Sequence, residues 1–152
     1  MKTTVFVLAT CVLALGVSAC SGDDDEGGNA GTAVSITLQE DTVTASRASV
    51  PAGPVTFNVR NTGQEVHEFV IIKTDLAEGM LPMANGSVDE TAAGLTVIDE
   101  IEDVPPGGSG TLNVQMTAGK YVLICNVVEE AADGAVIANH YAEGMHMAFT
   151  VE

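Results

Sequence analysis

The chain has 152 residues, of which 46% are hydrophobic, and carries 5 Lys and Arg against 21 Asp and Glu, a formal charge of −16. This acidity excludes a nucleic-acid-binding protein, because DNA and RNA attract basic surfaces. It favours a protein partner with a basic docking face, although the same charge also serves to keep an exported protein in solution.

The N-terminal segment is typical of a secretory signal peptide. Lys2 precedes an apolar run over residues 5–17, and small residues lead to Cys20. The run from Leu15 to Cys20 resembles a bacterial lipobox, in which the cysteine is lipidated and becomes the new N-terminus. We therefore predict that residues 1–19 are removed and that acyl chains on Cys20 anchor an extracytoplasmic protein to the cell membrane. Cleavage beside an unmodified cysteine is the alternative.

The segment after the signal is predicted to be a linker. Residues 20–32 are rich in Gly, Asp, Glu and Asn, and this composition buries too little apolar surface to offset the entropy of ordering. Residues 33–152 have the length and apolar content of one domain. Because Cys11 leaves with the signal and lipid occupies Cys20, Cys125 is the only free thiol in a compartment that favours disulfides. A bound metal would explain why Cys125 stays unpaired.

The domain is predicted to be all-β, an antiparallel Greek-key sandwich. Short β-rich runs alternate with Gly and Pro turns, and apolar residues recur at every second position within several runs. The predicted strands cover residues 34–39, 42–45, 55–61, 68–73, 110–116, 121–127 and 147–151.

The segment 75–103 interrupts this pattern. It mixes Gly, Pro and acidic residues with Ala-rich stretches, and Ser87 to Glu90 has the spacing of a helix capping box. We therefore expect a short helix inside a long connection that packs over one edge of the sandwich. No apolar run after the signal is long enough to span a bilayer.

Soft and borderline metal donors are concentrated near the C-terminus. A thiolate, two imidazoles and a thioether suit copper that cycles between two oxidation states, with a trigonal Cys and His pair and a long axial Met. The available donors are His67, His140 and His146, with Met145, Met147 and the strand-ending Cys125.

The order and context of these residues resemble the cupredoxin family, which includes plastocyanin-like blue copper proteins. A strand and an Asn/Gly turn over residues 55–63 lead into His67. The run 119–126, which contains Cys125, leads after a loop to His140, and Gly144 and Met145 precede the closing strand. The resemblance covers nearly all of the predicted domain.

The resemblance implies one type 1 copper ion bound by His67, Cys125, His140 and Met145. It implies a monomeric one-electron carrier rather than an enzyme. The implied partner is a redox protein, and electrons would pass through an exposed edge of His140. The loop between Cys125 and His140 is long for the family and acidic, which places solvent access, reduction potential and docking surface in question.

Several alternatives remain open at this stage. His146, which we expect to face water, and Met147, which has the parity of a core residue, substitute for His140 and Met145 if the register differs. Met80 and Met83 would offer thioethers to Cu(I), which would suit a copper carrier or buffer without an electron-transfer role. A zinc site is less favoured, because zinc gains nothing from an axial Met. A Cys/His hydrolase would need a base paired with Cys125, and a multicopper enzyme would need more than three histidines.

Overall fold

The structure is a computed structural model, and it describes residues 31–152. The signal-peptide prediction, Cys20 and almost all of the predicted linker therefore lie outside the described residues. Within this range no helix is long and apolar enough to cross a membrane. In chain order the elements are β1 (Thr32–Gln39), β2 (Thr42–Ala45), β3 (Ser49–Val50), β4 (Gly53–Asn61), β5 (His67–Lys73), β6 (Met83–Ala84), β7 (Ser87–Val88), β8 (Thr96–Val104), β9 (Ser109–Met116), β10 (Gly119–Ile124), β11 (Val128–Glu130), β12 (Val136–Asn139), α1 (His140–Glu143) and β13 (His146–Val151).

One layer of the sandwich is a four-stranded sheet in the order β2-β1-β4-β9. Its strands alternate between buried apolar and exposed polar residues, as expected for a sheet with one face on the core and the other in solvent. Val34 lies opposite Phe57 on the inner face, and the next pair along, Ser35 and Asn58, points outward. The period-two pattern of the sequence therefore sets the register of this layer.

The other layer is a five-stranded sheet in the order β3-β13-β10-β5-β8. Its central strands β5 and β10 are apolar on both faces, because both faces are covered. The inner face packs on the four-stranded sheet, with the Phe57 ring 5.7 Å from both Phe69 and Phe149. The outer face is covered by Leu81 and Tyr141.

The predicted fold class is confirmed, and each of the seven predicted strands overlaps an observed one. Two pairings are parallel, β1 with β4 and β13 with β3, whereas we expected only antiparallel neighbours. The long strand β8 and several two- to four-residue strands were not predicted.

The prediction of a short helix within residues 75–103 is wrong. This segment instead contains a small hairpin of β6 and β7, followed by β8. The Asn126 side chain accepts a hydrogen bond from the Val88 N–H at 2.7 Å and donates to the Val88 carbonyl at 3.2 Å. Asp89 accepts from the N–H and hydroxyl of Thr91 and so closes a turn. These side-chain partners replace the bonds that a helix would have made.

Candidate metal centre

His67 is the first residue of β5, and the loop before it is held by a buried asparagine. The Asn61 amide donates to the carbonyls of Glu65 and Val104 at 2.7 and 2.8 Å and accepts from the Gly63 N–H at 2.8 Å. Glycine at position 63 leaves room for the Glu40 carboxylate, which would have to shift if a Cβ were present there. The turn that was predicted from sequence thus fixes where β5 and its histidine begin.

Cys125 follows the last residue of β10 and is fully buried. Its N–H donates to the Met145 carbonyl at 3.0 Å, and its Sγ accepts the Glu68 N–H at 3.2 Å. Burial raises the pKa of the thiol to about 11, against the opposing effect of the N–H groups of Glu68 and Val127. Without a metal the thiol is therefore protonated at neutral pH, whereas a bound metal ion would deprotonate it.

His140 is the first residue of the short helix α1, which Asn139 caps by accepting the Ala142 N–H at 2.8 Å. The His140 N–H donates to the Val127 carbonyl, and its own carbonyl accepts the Met145 N–H at 2.9 Å. Gly144 between them has a φ of 125°, and a Cβ there would lie 2.9 Å from the Asp41 carbonyl oxygen. Glycine is therefore needed for the chain to turn back from His140 into β13.

Three donor atoms converge at this end of the sandwich. The Nδ1 atoms of His67 and His140 are 3.1 Å apart, and Cys125 Sγ lies 3.4 Å from the Nδ1 of His140 and 3.9 Å from that of His67. Bonds of about 2.0 Å to nitrogen and about 2.3 Å to sulfur around one trigonal ion separate the donors by roughly 3.5 to 3.8 Å. The donor triangle therefore fits a single metal ion.

The charge state of His67 also suits a ligand. Burial lowers its pKa below the ordinary 6.5, and the nearby His140 lowers it further, while the Glu40 carboxylate opposes both effects. The imidazole is therefore neutral at pH 7 and has a lone pair available for a metal.

The register of the closing strand separates the two candidate methionines. Met147 lies opposite Leu123 and His146 lies opposite Ile124, and the bond from the Cys125 N–H to the Met145 carbonyl continues this register to the next pair. Met145 is thus beside Cys125, and Met147 lies two residues deeper, where it packs against the main core. His146 is only half-buried on the opposite face, with its ring centroid 5.1 Å from that of Tyr141, so it is neither at the centre nor fully in water.

The sequence matches the family described as Cupredoxin-like domain over residues 6–138. The chain belongs to this cupredoxin family. The matched region contains His67 and Cys125 but ends before His140 and Met145, so the structure alone brings those two residues to the centre. The family and the cluster of His67, Cys125 and His140 with Met145 are consistent with one type 1 copper site.

Solved structures share the cupredoxin fold. Reduced auracyanin from Roseiflexus castenholzii is 22% identical, with a TM-score of 0.54 over 80% of this chain and 98% of that one. Auracyanin B is 16% identical, with a TM-score of 0.53 over 80% of this chain and 88% of that one. Rusticyanin from Thiobacillus ferrooxidans is 19% identical, with a TM-score of 0.51 over 80% and 79%. No curated protein sequence matches the chain.

The expectation that an edge of the His140 ring is exposed to solvent is wrong, because this residue is only 2% exposed. Residues of the long loop after Cys125 form the hairpin of β11 and β12, and Glu129 on this hairpin lies 4.0 Å from His140 Nε2. Glu65 lies at 3.4 Å on the other side. The two carboxylates cover the edge that we expected to face solvent.

Carboxylates near the centre were the main features that sequence reasoning missed. Glu40 accepts the N–H groups of Gln64 and Glu65, and these bonds lower the pKa of its carboxyl. Its Oε1 also lies 3.9 Å from His67 Nε2. The chain offers no local signal for this contact, since Glu40 follows a different strand.

A second group of carboxylates lies beside Cys125 on the outer side of the sheet. Carboxylate oxygens of Glu68, Glu90 and Glu100 lie within 4.8 Å of one another. Burial, followed by repulsion from Glu90, Glu100 and Glu102, raises the pKa of Glu68 to about 7, while the Asn126 N–H opposes this rise. Near neutral pH the Glu68 carboxyl is therefore partly protonated next to the candidate centre.

Proposed function

We propose that this chain is a lipid-anchored, extracytoplasmic type 1 copper protein that carries single electrons. The observation that carries the proposal is the convergence of two imidazole Nδ1 atoms and one cysteine Sγ within 3.1–3.9 Å of one another. A trigonal His and Cys set with a weak axial Met is the donor arrangement of blue-copper electron-transfer sites.

The proposed ligands are His67, Cys125, His140 and Met145. The first three would supply the donor triangle, and Met145 would supply the thioether, because the register places it beside Cys125. Met147 is the less suitable candidate, since two residues along a strand displace it by roughly 7 Å.

The protein's part in electron transfer would be to hold the donors in one arrangement. Copper supplies the one-electron couple when it is bound. Each donor is fixed by its neighbours: Asn61 sets the loop before His67, the Glu68 N–H fixes the Cys125 sulfur, and α1 orients His140. Because such a set cannot move far between oxidation states, little reorganisation accompanies electron exchange, and no substrate is transformed.

The proposed partner is a redox protein with a basic docking face. Glu65 and Glu129 flank His140 Nε2, and their side chains are 46% and 41% exposed. A partner that presents Lys or Arg would meet these carboxylates at the edge nearest the copper ligands. Complementary charge of this kind raises association rates at low ionic strength.

The proposed anchor agrees with the direction of β1. Thr32 pairs with Val55, whereas Leu38 pairs with Asn61, whose loop leads to His67. The tether would thus join the domain roughly 20 Å from the metal end, given about 3.3 Å per strand residue. A lipid on Cys20 would leave the metal end free for a soluble partner.

A copper carrier or buffer is the second candidate, and exposed thioethers are the observation that favours it. Met80 is 73% exposed and Met83 44% exposed, so both sulfur-bearing side chains are accessible to Cu(I). The buried donor triangle favours electron transfer instead, because a metal held at residues that are at most 2% exposed is slow to transfer to an acceptor.

The experiment that tests the proposal is reconstitution of the protein with one equivalent of Cu(II), followed by visible spectroscopy and redox titration. We expect an intense thiolate-to-copper band and a reversible one-electron couple. Cys125→Ser should lose the band while far-UV circular dichroism stays that of the parent. Copper binding without the band would refute the type 1 site, and copper transfer to an acceptor without a reversible couple would favour the carrier.

A further inference from the structure

The Nε2 atoms of the candidate ligands His67 and His140 point away from the donor triangle. Both rings turn Nδ1 toward Cys125, and both Nε2 atoms are buried without a hydrogen-bond partner of good geometry. A carboxylate lies near each Nε2: Glu65 Oε2 is 3.4 Å from His140, and Glu40 Oε1 is 3.9 Å from His67. The closer approach, that of Glu65, is within reach of a hydrogen bond after a small side-chain rotation.

The backbone of Glu65 is held on both sides. Its carbonyl accepts the Asn61 amide at 2.7 Å, and its N–H donates to the Glu40 carboxylate at 3.0 Å. The loop that positions His67 therefore also delivers a carboxylate to His140, which lies on a different element. Asn61 and Glu40 thus form the support of this carboxylate.

Glu129 approaches the same nitrogen from the opposite side, but its support differs. It lies on the hairpin of β11 and β12, whose register shifts at Glu129 itself, and its Oε1 is 4.0 Å from His140 Nε2. Glu129 therefore supplies a negative charge at a slightly longer distance, from a strand paired with β12 rather than from the loop before His67. It is the natural control for an effect of charge alone.

We propose that Glu65 is a positioning residue that accepts the Nε2–H of His140 and thereby sets the reduction potential. The inference rests on the proposed function, in which Nδ1 of His140 binds copper. An acceptor for the second N–H fixes the tautomer and the ring orientation of a ligand histidine and raises its basicity. A more basic imidazole, and a nearby negative charge, both stabilise Cu(II) over Cu(I). Glu65 thus lowers the potential of the centre.

Three variants of the full chain separate a hydrogen bond from charge alone. Glu65→Gln removes the charge but keeps an oxygen acceptor, and Glu65→Asp keeps the charge but withdraws the acceptor by one methylene. Glu129→Gln removes the charge of a carboxylate that does not accept this hydrogen bond. Each is loaded with one copper ion, and its potential is measured by spectroelectrochemistry. The Nε2–H of His140 is followed by ¹⁵N NMR in the diamagnetic Cu(I) form.

Glu65→Asp withdraws the acceptor, and Glu65→Gln replaces it by a weaker neutral one. Both should shift the ratio of Cu(I) to Cu(II) toward Cu(I), by about tenfold where the loss of support lowers Cu(II) affinity alone by the lower end of its usual range. This corresponds to about 59 mV for one electron. Glu129→Gln should shift the ratio less than threefold. The slowly exchanging Nε2–H resonance should be lost only in Glu65→Asp, because glutamine at position 65 still offers an oxygen acceptor.

Equal shifts for Glu65→Gln and Glu129→Gln, with no shift for Glu65→Asp, would overturn the inference and leave the proposed function intact. A parent protein without a reversible couple would instead overturn the proposed function, and this inference with it. Parent-like blue bands in all three variants would show that any shift reflects the second nitrogen rather than loss of the site.

Discussion

Replacing Glu68 with Gln should stabilise the metal-free protein at pH 8 while leaving its stability at pH 4 nearly unchanged. The carboxyl is half-buried beside Cys125, and its pKa is raised to about 7 by burial first and then by Glu90, Glu100 and Glu102. Glutamine has nearly the same shape, retains an oxygen that accepts the Asn126 N–H, and carries no charge.

The sign follows from proton binding in the two states. The unfolded chain releases the Glu68 proton near its ordinary pKa of 4.5, whereas the folded protein holds it up to a pKa of about 7. Between these values the unfolded state binds fewer protons, so the folding free energy becomes less favourable as pH rises. Each pH unit contributes up to about 1.4 kcal/mol, which gives a ceiling of about 3 kcal/mol. Solvent screening of a half-buried group reduces this to about 1–2 kcal/mol.

The assay is urea unfolding of the metal-free protein and its variants at pH 4, 6 and 8, followed by far-UV circular dichroism. The difference in stability between Glu68→Gln and the parent should be near zero at pH 4 and grow to about 1–2 kcal/mol in favour of the variant at pH 8. Glu130→Gln, at an exposed position, should show no such growth. A variant that is less stable than the parent at pH 8 would refute the reasoning.

Two further predictions concern the axial ligand and the anchor. Met145→Leu should change the reduction potential while the blue site still forms, whereas Met147→Leu should leave the potential nearly fixed and cost less than ~1.5 kcal/mol as a volume-conserving core swap. Redox titration decides between them, and a shift only in the Met147 variant would make Met147 the ligand. Cys20→Ser should release the protein from the membrane fraction or block its processing, as cell fractionation and immunoblotting would reveal; normal cleavage with unchanged retention would contradict a lipid anchor.

The sandwich could be predicted from sequence because its strands carry their own periodicity. β4 and β9 alternate apolar and polar residues, and their turns contain Gly and Pro. The segment 75–103 could not be predicted in this way, since its conformation depends on Asn126, which binds both backbone groups of Val88 from a distant part of the chain. The spacing of a capping box reflects only hydrogen bonds between residues close in sequence. Here hydrogen bonds from a residue distant in sequence determine the backbone conformation instead.

The burial of His140 was also beyond sequence reasoning. The loop after Cys125 contains Glu129, Glu130 and Asp133, a composition that predicts a solvated connection. The structure instead forms the hairpin of β11 and β12, which begins at Val128. At the base of this hairpin the Val127 carbonyl accepts the His140 N–H, and Glu129 on the hairpin lies 4.0 Å from His140 Nε2. Closing of the hairpin, rather than its composition, determines which ligand edges remain accessible.

The donors and their supporting carboxylates differ in how much information the sequence holds about them. The chain has only three histidines, together with one cysteine outside the predicted signal and lipidation site, so few combinations can form a soft metal site. Carboxylates are common in this chain, with 21 Asp and Glu, and nothing in their spacing distinguishes Glu40 or Glu65 from the others. Their selection depends on the parallel pairing of β1 with β4, which brings the end of one strand beside the loop after the other. Residue type thus indicates what the centre binds, whereas strand topology determines which charges surround it.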